Sequence, residues 1–260
     1  AIREQLECYV LNQSQVSSPW SALPDLRSPH PDCGALECFG FNAALDSGAV
    51  AVVGTLPDNR RFVSVHTHSN TTGAVSWQCL SGCANDFLNS ESGWIWSEEE
   101  SFGQTIALDG AALAVGIPNS GNDTGAVEVY RAAGGAAHGR DRWMLDTRLH
   151  MPGTVEFGRA LAMRDGFLVV GSPGAGRASV HVYTYDRTGA GGSLSLSPVC
   201  SVVHSDIELD SLLGRSVDLQ VKREGHRAAR AVILAGAPGI NRVFSIFVDL
   251  GRVGAARCAA

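Results

Sequence analysis

The residue types that could support chemistry are few and dispersed. His66-x-His68 puts two imidazoles on one face of a strand, as the start of a metal site would. No third ligand follows it, and His138, His150, His181, His204 and His226 are scattered. Seven cysteines stand at 8, 33, 38, 79, 83, 200 and 258. Cys33-x4-Cys38 and Cys79-x3-Cys83 could close small disulfide loops, whereas zinc is set aside because no Cys-x2-Cys is present. Spacing leaves the pairing open. For nucleophilic catalysis there is no Gly-x-Ser-x-Gly elbow, and Asn119-Ser120-Gly121 reads as a turn. Gly171-Ser172-Pro173-Gly174-Ala175-Gly176 is glycine-rich but lacks Lys-Ser/Thr and a following helix, so it is no phosphate loop. The sequence reads as a non-enzyme.

Charge narrows the partners further. The chain has 260 residues and a formal charge of −6, which argues against nucleic acid because phosphate binding needs a basic face. No apolar run approaches the roughly 20 residues that span a bilayer, so no membrane insertion by this segment is expected. Three Asn-x-Ser/Thr sequons, at Asn12, Asn70 and Asn122, together with the cysteines, lean towards the secretory pathway and an extracellular or cell-surface location.

The elements that must carry any site are short strands. Runs such as Val50-Ala51-Val52-Val53, Leu168-Val169-Val170 and Ala231-Val232-Ile233-Leu234 are bounded by glycine or proline, and helical periodicity is almost absent. One phrase recurs: an apolar-glycine pair followed by a β-branched run that ends in glycine and proline. It reads Phe39-Gly40 to Gly54-x-x-Pro57, Phe102-Gly103 to Gly116-x-Pro118, Phe157-Gly158 to Gly171-x-Pro173, and Leu213-Gly214 to Gly236-x-Pro238. The second glycines of the pairs are 63, 55 and 56 residues apart, the length of a four-stranded repeat with its loops. From pair to closing glycine the distance is 14, 13, 13 and 22, so the last copy carries an insertion.

The second copy predicts strands over 104–108, 112–115, 126–130 and 143–149, with Asp109-Gly110 as a tight hairpin turn. The third predicts 159–163, 167–170 and 178–185, and the fourth 215–219, 231–235 and 242–248. In the first, 41–45 and 49–53 form the hairpin, either 62–66 or 74–77 is the third strand, and 94–96 is the outer one. The expected fold is all-β, four strands per unit joined as a meander.

These residues resemble the FG-GAP repeat, which builds the β-propeller of integrin α subunits and of many extracellular proteins. The resemblance covers about residues 39 to 250. It implies blades of four antiparallel strands at 39–100, 101–155, 156–211 and a truncated 212–260, within a ring of about seven blades. Residues 1–38 would be an outer strand of a preceding blade plus a linker. Many family members bind Ca²⁺ in the hairpin between first and second strands, with several carboxylates at alternate positions. Here Asp46-Ser47-Gly48, Asp109-Gly110 and Asp165-Gly166 offer one carboxylate each, so Ca²⁺ is not expected at the usual sites and no cofactor is implied.

Two candidate binding surfaces remain. By resemblance, the loops between second and third strands face ligands, and their polar members are Asp58, Asn59, Arg60, Asn119, Asn122, Asp123, Arg177 and Arg242. The insertion in the fourth copy carries Lys222, Arg223, Arg227 and Arg230, a basic dock for an acidic protein or sulfated glycan. The expected function is a non-enzymatic extracellular scaffold for protein or glycan recognition and adhesion. The alternatives are a structural subunit of a filament, coat or matrix built from copies or further blades, and an accessory propeller of a hydrolase.

Overall fold

The structure, a computed structural model, describes residues 9–11, 20–22, 39–46, 48–56, 58–70, 75–81, 95–133, 142–174, 177–186, 194–203, 211–224, 227–249 and 257–259. It is all-β. A two-stranded antiparallel ladder, β1 (Tyr9–Leu11) with β2 (Trp20–Ala22), precedes four larger antiparallel sheets. The first sheet joins β3 (Phe39–Asp46), β4 (Ala49–Thr55) and β5 (Arg61–Asn70) in order, and β5 carries both β6 (Val75–Ser81) and β7 (Ile95–Ser97) on its other edge. The two expected readings of the third strand resolve in favour of β5, while 75–81 becomes an outer strand.

The second sheet is β8 (Thr105–Asp109), β9 (Ala112–Ile117), β10 (Ala126–Ala133) and β11 (Arg142–Leu149). The third is β12 (Ala160–Arg164), β13 (Phe167–Ser172), β14 (Ser179–Tyr185) and β15 (Leu196–Val203). The fourth is β16 (Ser216–Glu224), β17 (Arg227–Ala237), β18 (Arg242–Asp249) and β19 (Arg257–Ala259). Each is a meander with neighbours in chain order. The insertion of the fourth copy is absorbed by lengthening β16 and β17 into a long hairpin, with a bulge between Lys222 and Arg223.

Strands with apolar residues at every position are buried on both faces, and β9 and β13 are buried throughout. The two faces belong to different cores. Ala51, Val53, Val63 and Val65 of the first sheet pack with Leu113, Val115 and Ile117 of the second. Ala112, Ala114, Val127 and Val129, on the opposite face of the second, pack with Leu168 and Val170 of the third. Val169, Val180 and Val182 then meet Ala231, Ile233 and Ala235 of the fourth. Successive sheets thus stack face to face through three seams.

At the second and third seams the backbones meet with no side chain between them. A Cβ on Gly116 would collide with the Gly158 carbonyl oxygen, and one on Gly171 with that of Gly214. Gly158 and Gly214 take φ of +92° and +87°, a region open to glycine at little cost. This is why an apolar-glycine pair and a strand-ending glycine recur together in the sequence. The first seam differs. The residue beside Gly103 is Val53, whose Cγ1 would lie 2.7 Å from a Cβ there. Asn42 pairs with Val53 as Thr105 pairs with Gly116, so Val53, and not Gly54, holds the position of the closing glycine in the first sheet.

Candidate functional site

The loops that follow β9, β13 and β17 are fastened to the sheets. In the second unit the Asn119 N–H donates to the Ser101 hydroxyl at 3.1 Å. In the third, Gly174 N–H and the Ser172 hydroxyl both donate to the Val155 carbonyl, at 3.2 and 2.8 Å. In the fourth, Gly239 N–H donates to the Ser211 carbonyl at 3.2 Å. Each anchor lies just before the apolar-glycine pair of its own unit. Neighbouring units are tied as well, because Glu156 N–H and Phe157 N–H donate to the carbonyls of Asp123 and Thr124. Loop positioning therefore follows from the repeated phrase.

The turn Ser120–Asp123 holds three consecutive left-handed residues, Gly121, Asn122 and Asp123, with φ of 60°, 59° and 65°. Asn and Asp tolerate that region better than other side chains. Asn122 and Asp123 are exposed there, as are Asn119, Arg177 and Arg242. In the first unit Arg60 binds Asp58 through a 2.6 Å ion pair and lies over the indole of Trp96, 4.9 Å from the ring centroid. Hydrogen bonding from Arg60 holds the Asp58 carboxyl below its usual range. Asn59 makes the connecting turn with φ of 68°. Asp58 and Arg60 are thus brought together, with Trp96 as a third member that sequence reasoning missed. Its only signal was its place at the end of the expected outer strand 94–96, just before the acidic run Glu98-Glu99-Glu100.

Behind the second loop lies a polar ladder that the sequence did not reveal. Arg148 donates to Glu128 at 2.9 Å, to Glu99 at 2.5 Å and to the Ser120 hydroxyl at 2.8 Å, and Tyr130 donates to the other oxygen of Glu128. Partial burial raises the Glu99 pKa, but Ser120 and Arg148 outweigh it and hold the carboxyl below its ordinary range. The ladder braces the loop from beneath.

The hairpin ends of the sheets use their charge differently. Asp46 accepts from Gly110 N–H at 2.7 Å, and Asp109 accepts from Gly166 N–H at 3.2 Å and from the Tyr185 hydroxyl. Asp165 pairs with Arg223. Every hairpin aspartate thereby reaches the next sheet. The basic dock expected on the insertion is correspondingly reduced, because Arg223 is paired with Asp165 and Arg230 with Asp249. Lys222 is exposed, and the side chain of Arg227 lies outside the described residues.

His66 is buried, and a 2.9 Å hydrogen bond links its Nε2 to the Ser64 hydroxyl. His181 lies between the hydroxyls of Ser179 and Ser201, at 2.9 and 2.7 Å, with Phe157 edge-on at 5.4 Å. Burial pushes both imidazoles down to about 4. These Ser–His pairs are enclosed by the core, with Ser64 and Ser179 at 0% and 1% exposure. Among the described residues no group of three or more His, Cys, Asp or Glu is placed to hold a metal ion.

Cys200, on β15, is disulfide-bonded. The candidate disulfide residues Cys33, Cys38 and Cys83, the candidate glycosylation residue Asn12 and the motif residue Pro57 lie outside the described residues, as do the side chains of Cys79, His68 and Asn70. No described helix is long and apolar enough to cross a membrane. No protein-family model and no curated protein matches the chain.

Proposed function

We propose that the chain is a β-propeller segment of the FG-GAP type and a non-enzymatic extracellular platform that recognises a protein or glycan with its second-to-third-strand loops. The observation that carries this reading is the fastening of those loops, in the second, third and fourth units, to the residues before the apolar-glycine pair. A loop held at both ends by a rigid sheet presents its side chains with little ordering cost on binding. Asp58, Arg60 and Trp96 make a preformed polar-aromatic patch at that edge, of the kind that stacks on a sugar ring or an extended peptide. Asn122, Asp123, Arg177 and Arg242 extend the polar surface.

The disulfide at Cys200 and the exposed sequon at Asn122 support an oxidising, secretory environment. Intact mass measured without reductant, before and after glycosidase treatment, checks this; only free thiols and an unmodified Asn122 would remove the extracellular assignment. Recognition is tested by titrating the protein against heparin, sialylated glycans and purified matrix glycoproteins. Arg60→Ala and Trp96→Ala should weaken whichever interaction is found by about 1–3 kcal/mol each. Binding that neither variant changes would move the site off this edge.

A further inference from the structure

Among the described residues the fourth sheet packs on one side only. Its other face carries Leu234, Val243 and Phe247 at 45%, 69% and 57% exposure, and a Cβ on Gly236 would meet only atoms of Ser216, its own strand neighbour. The third seam therefore holds this sheet alone. At one side of that seam Gly171 and Gly214 bring the backbones together. At the other, the outer strands β15 and β19 lie against each other. Cys200 is the register partner of Val182 in the third sheet, and Cys258 is the register partner of Val248 in the fourth. Register partners share a face of their sheet. Val182 and Val248 are both buried in the core between these two sheets, and Cys200 packs against that core. Two strands that meet across one seam thus each place a cysteine in the row of a core valine, and the first of the two cysteines is disulfide-bonded.

We infer that Cys200 is bonded to Cys258, a covalent tie across the outer rim of the third seam that holds β19 and closes the whole fourth sheet into one loop. A disulfide joins Cα atoms no more than about 7 Å apart. Cys79, on β6, belongs to the first sheet, two seams from the third, which is roughly 20 Å where sheets pack about 10 Å apart. Cys38 adjoins Phe39 of the same sheet, and Cys83 stands two residues past Ser81, a reach of about 7 Å. None of the three spans that gap. Forming the bond takes two protons and two electrons from the two thiols, and an oxidised dithiol accepts them by disulfide exchange. The tie matters most to β19, a strand of three residues whose only ladder is to Phe247–Asp249. Reduction should therefore free β19 first and leave the first and second seams as they are. The tie is independent of what the loops recognise.

The test is peptide mapping of the unreduced protein, its free thiols blocked before digestion with trypsin. Cleavage after Arg187, Arg215 and Arg257 leaves Cys200 in the peptide 188–215 and Cys258 at the start of another. The two should travel as one linked species that separates on reduction by a phosphine. A peptide 188–215 that carries the blocking group, or that is linked to Cys8, Cys33 or any other cysteine, would overturn the pairing; linkage elsewhere would still leave an oxidising environment in place. Amide exchange then reads what the bond does. Cys258→Ser and Cys200→Ser should each speed exchange over 257–259 and 247–249 by about tenfold or more, equally and without adding in the double variant, while Leu113–Val115 stays protected. Unchanged exchange over β19 in both variants would overturn its dependence on the tie.

Discussion

The first and third seams solve one packing problem in two ways. At the third, Gly171 and Gly214 bring two backbones into contact, and a methyl group on Gly171 has nowhere to go. At the first, Val53 fills the equivalent position, and Gly103 alone supplies the close approach through the absence of its own Cβ. A polar contact supports the looser seam, since Asn42 Nδ2 donates across it to the Gln104 carbonyl at 2.8 Å. Glycine is therefore demanded by what lies opposite, and a seam can be closed with one glycine if a valine methyl takes the other's place. The open face of the fourth sheet has the third seam's chemistry without its neighbour.

The largest test of that contrast is Gly171→Ala against Gly236→Ala. The first should cost about 3 kcal/mol or more through a backbone collision, and the second under about 0.5 kcal/mol. Urea denaturation of the two variants gives both numbers, and equal losses would break the comparison.

Acid titration sharpens it next. Phe39 and Phe157, the leading aromatics of the first and third units, each lie beside a buried histidine, His66 and His181. Both rings are neutral in the folded protein with pKa about 4, against about 6.5 unfolded. The unfolded chain therefore binds the extra protons. Stability is intact above pH 6.5 and falls as pH drops towards 4, by up to about 3 kcal/mol per ring. His181→Gln should flatten part of that slope in thermal melts across the window; an unchanged slope would show that other groups drive acid unfolding.

The hairpin aspartates give a smaller contrast. Asp109 is buried and accepts from the Gly166 N–H and the Tyr185 hydroxyl, so Asp109→Ala, which removes that acceptor from both, should cost about 1–3 kcal/mol. Asp46 has one exposed bond to the next hairpin, and Asp46→Ala should cost about 0.5 kcal/mol. Smallest of all, Arg223→Ala removes a solvent-screened surface pair with Asp165 and should leave the urea midpoint unchanged within error. A clear fall of the midpoint in that variant would mean that the long hairpin of the fourth sheet is held mainly by charge.

Much of the fold was legible because its constraints are local. The second unit's strands fall within a few residues of the expected ones, since Asp109-Gly110 fixes a turn and alternating or fully apolar runs fix the faces on either side. The first unit was misread at Gly54 because it contains a glycine one residue past the position that matters, and only the partner sheet reveals that Val53 sits there. β15 was missed because Leu196–Val203 contains Pro198 and two serines, and β16 was cut short because Lys222, Arg223 and Glu224 read as a loop insertion. An outer strand with one solvent face tolerates such residues.

The candidate site was legible only in outline. Asp58 and Arg60 were visible as polar loop residues, but the stacking of Arg60 on Trp96, and the ladder from Glu99 through Arg148 to Glu128, join residues far apart in the chain. The sequence by itself determined a four-fold repeat of short strands, because turns, strand ends and close backbone approaches each demand particular residue types nearby. The tertiary structure decided which glycines face a neighbour and which face solvent, and which charges are spent between sheets. Those outcomes depend on what packs opposite a residue, and that partner is some fifty residues away in the chain.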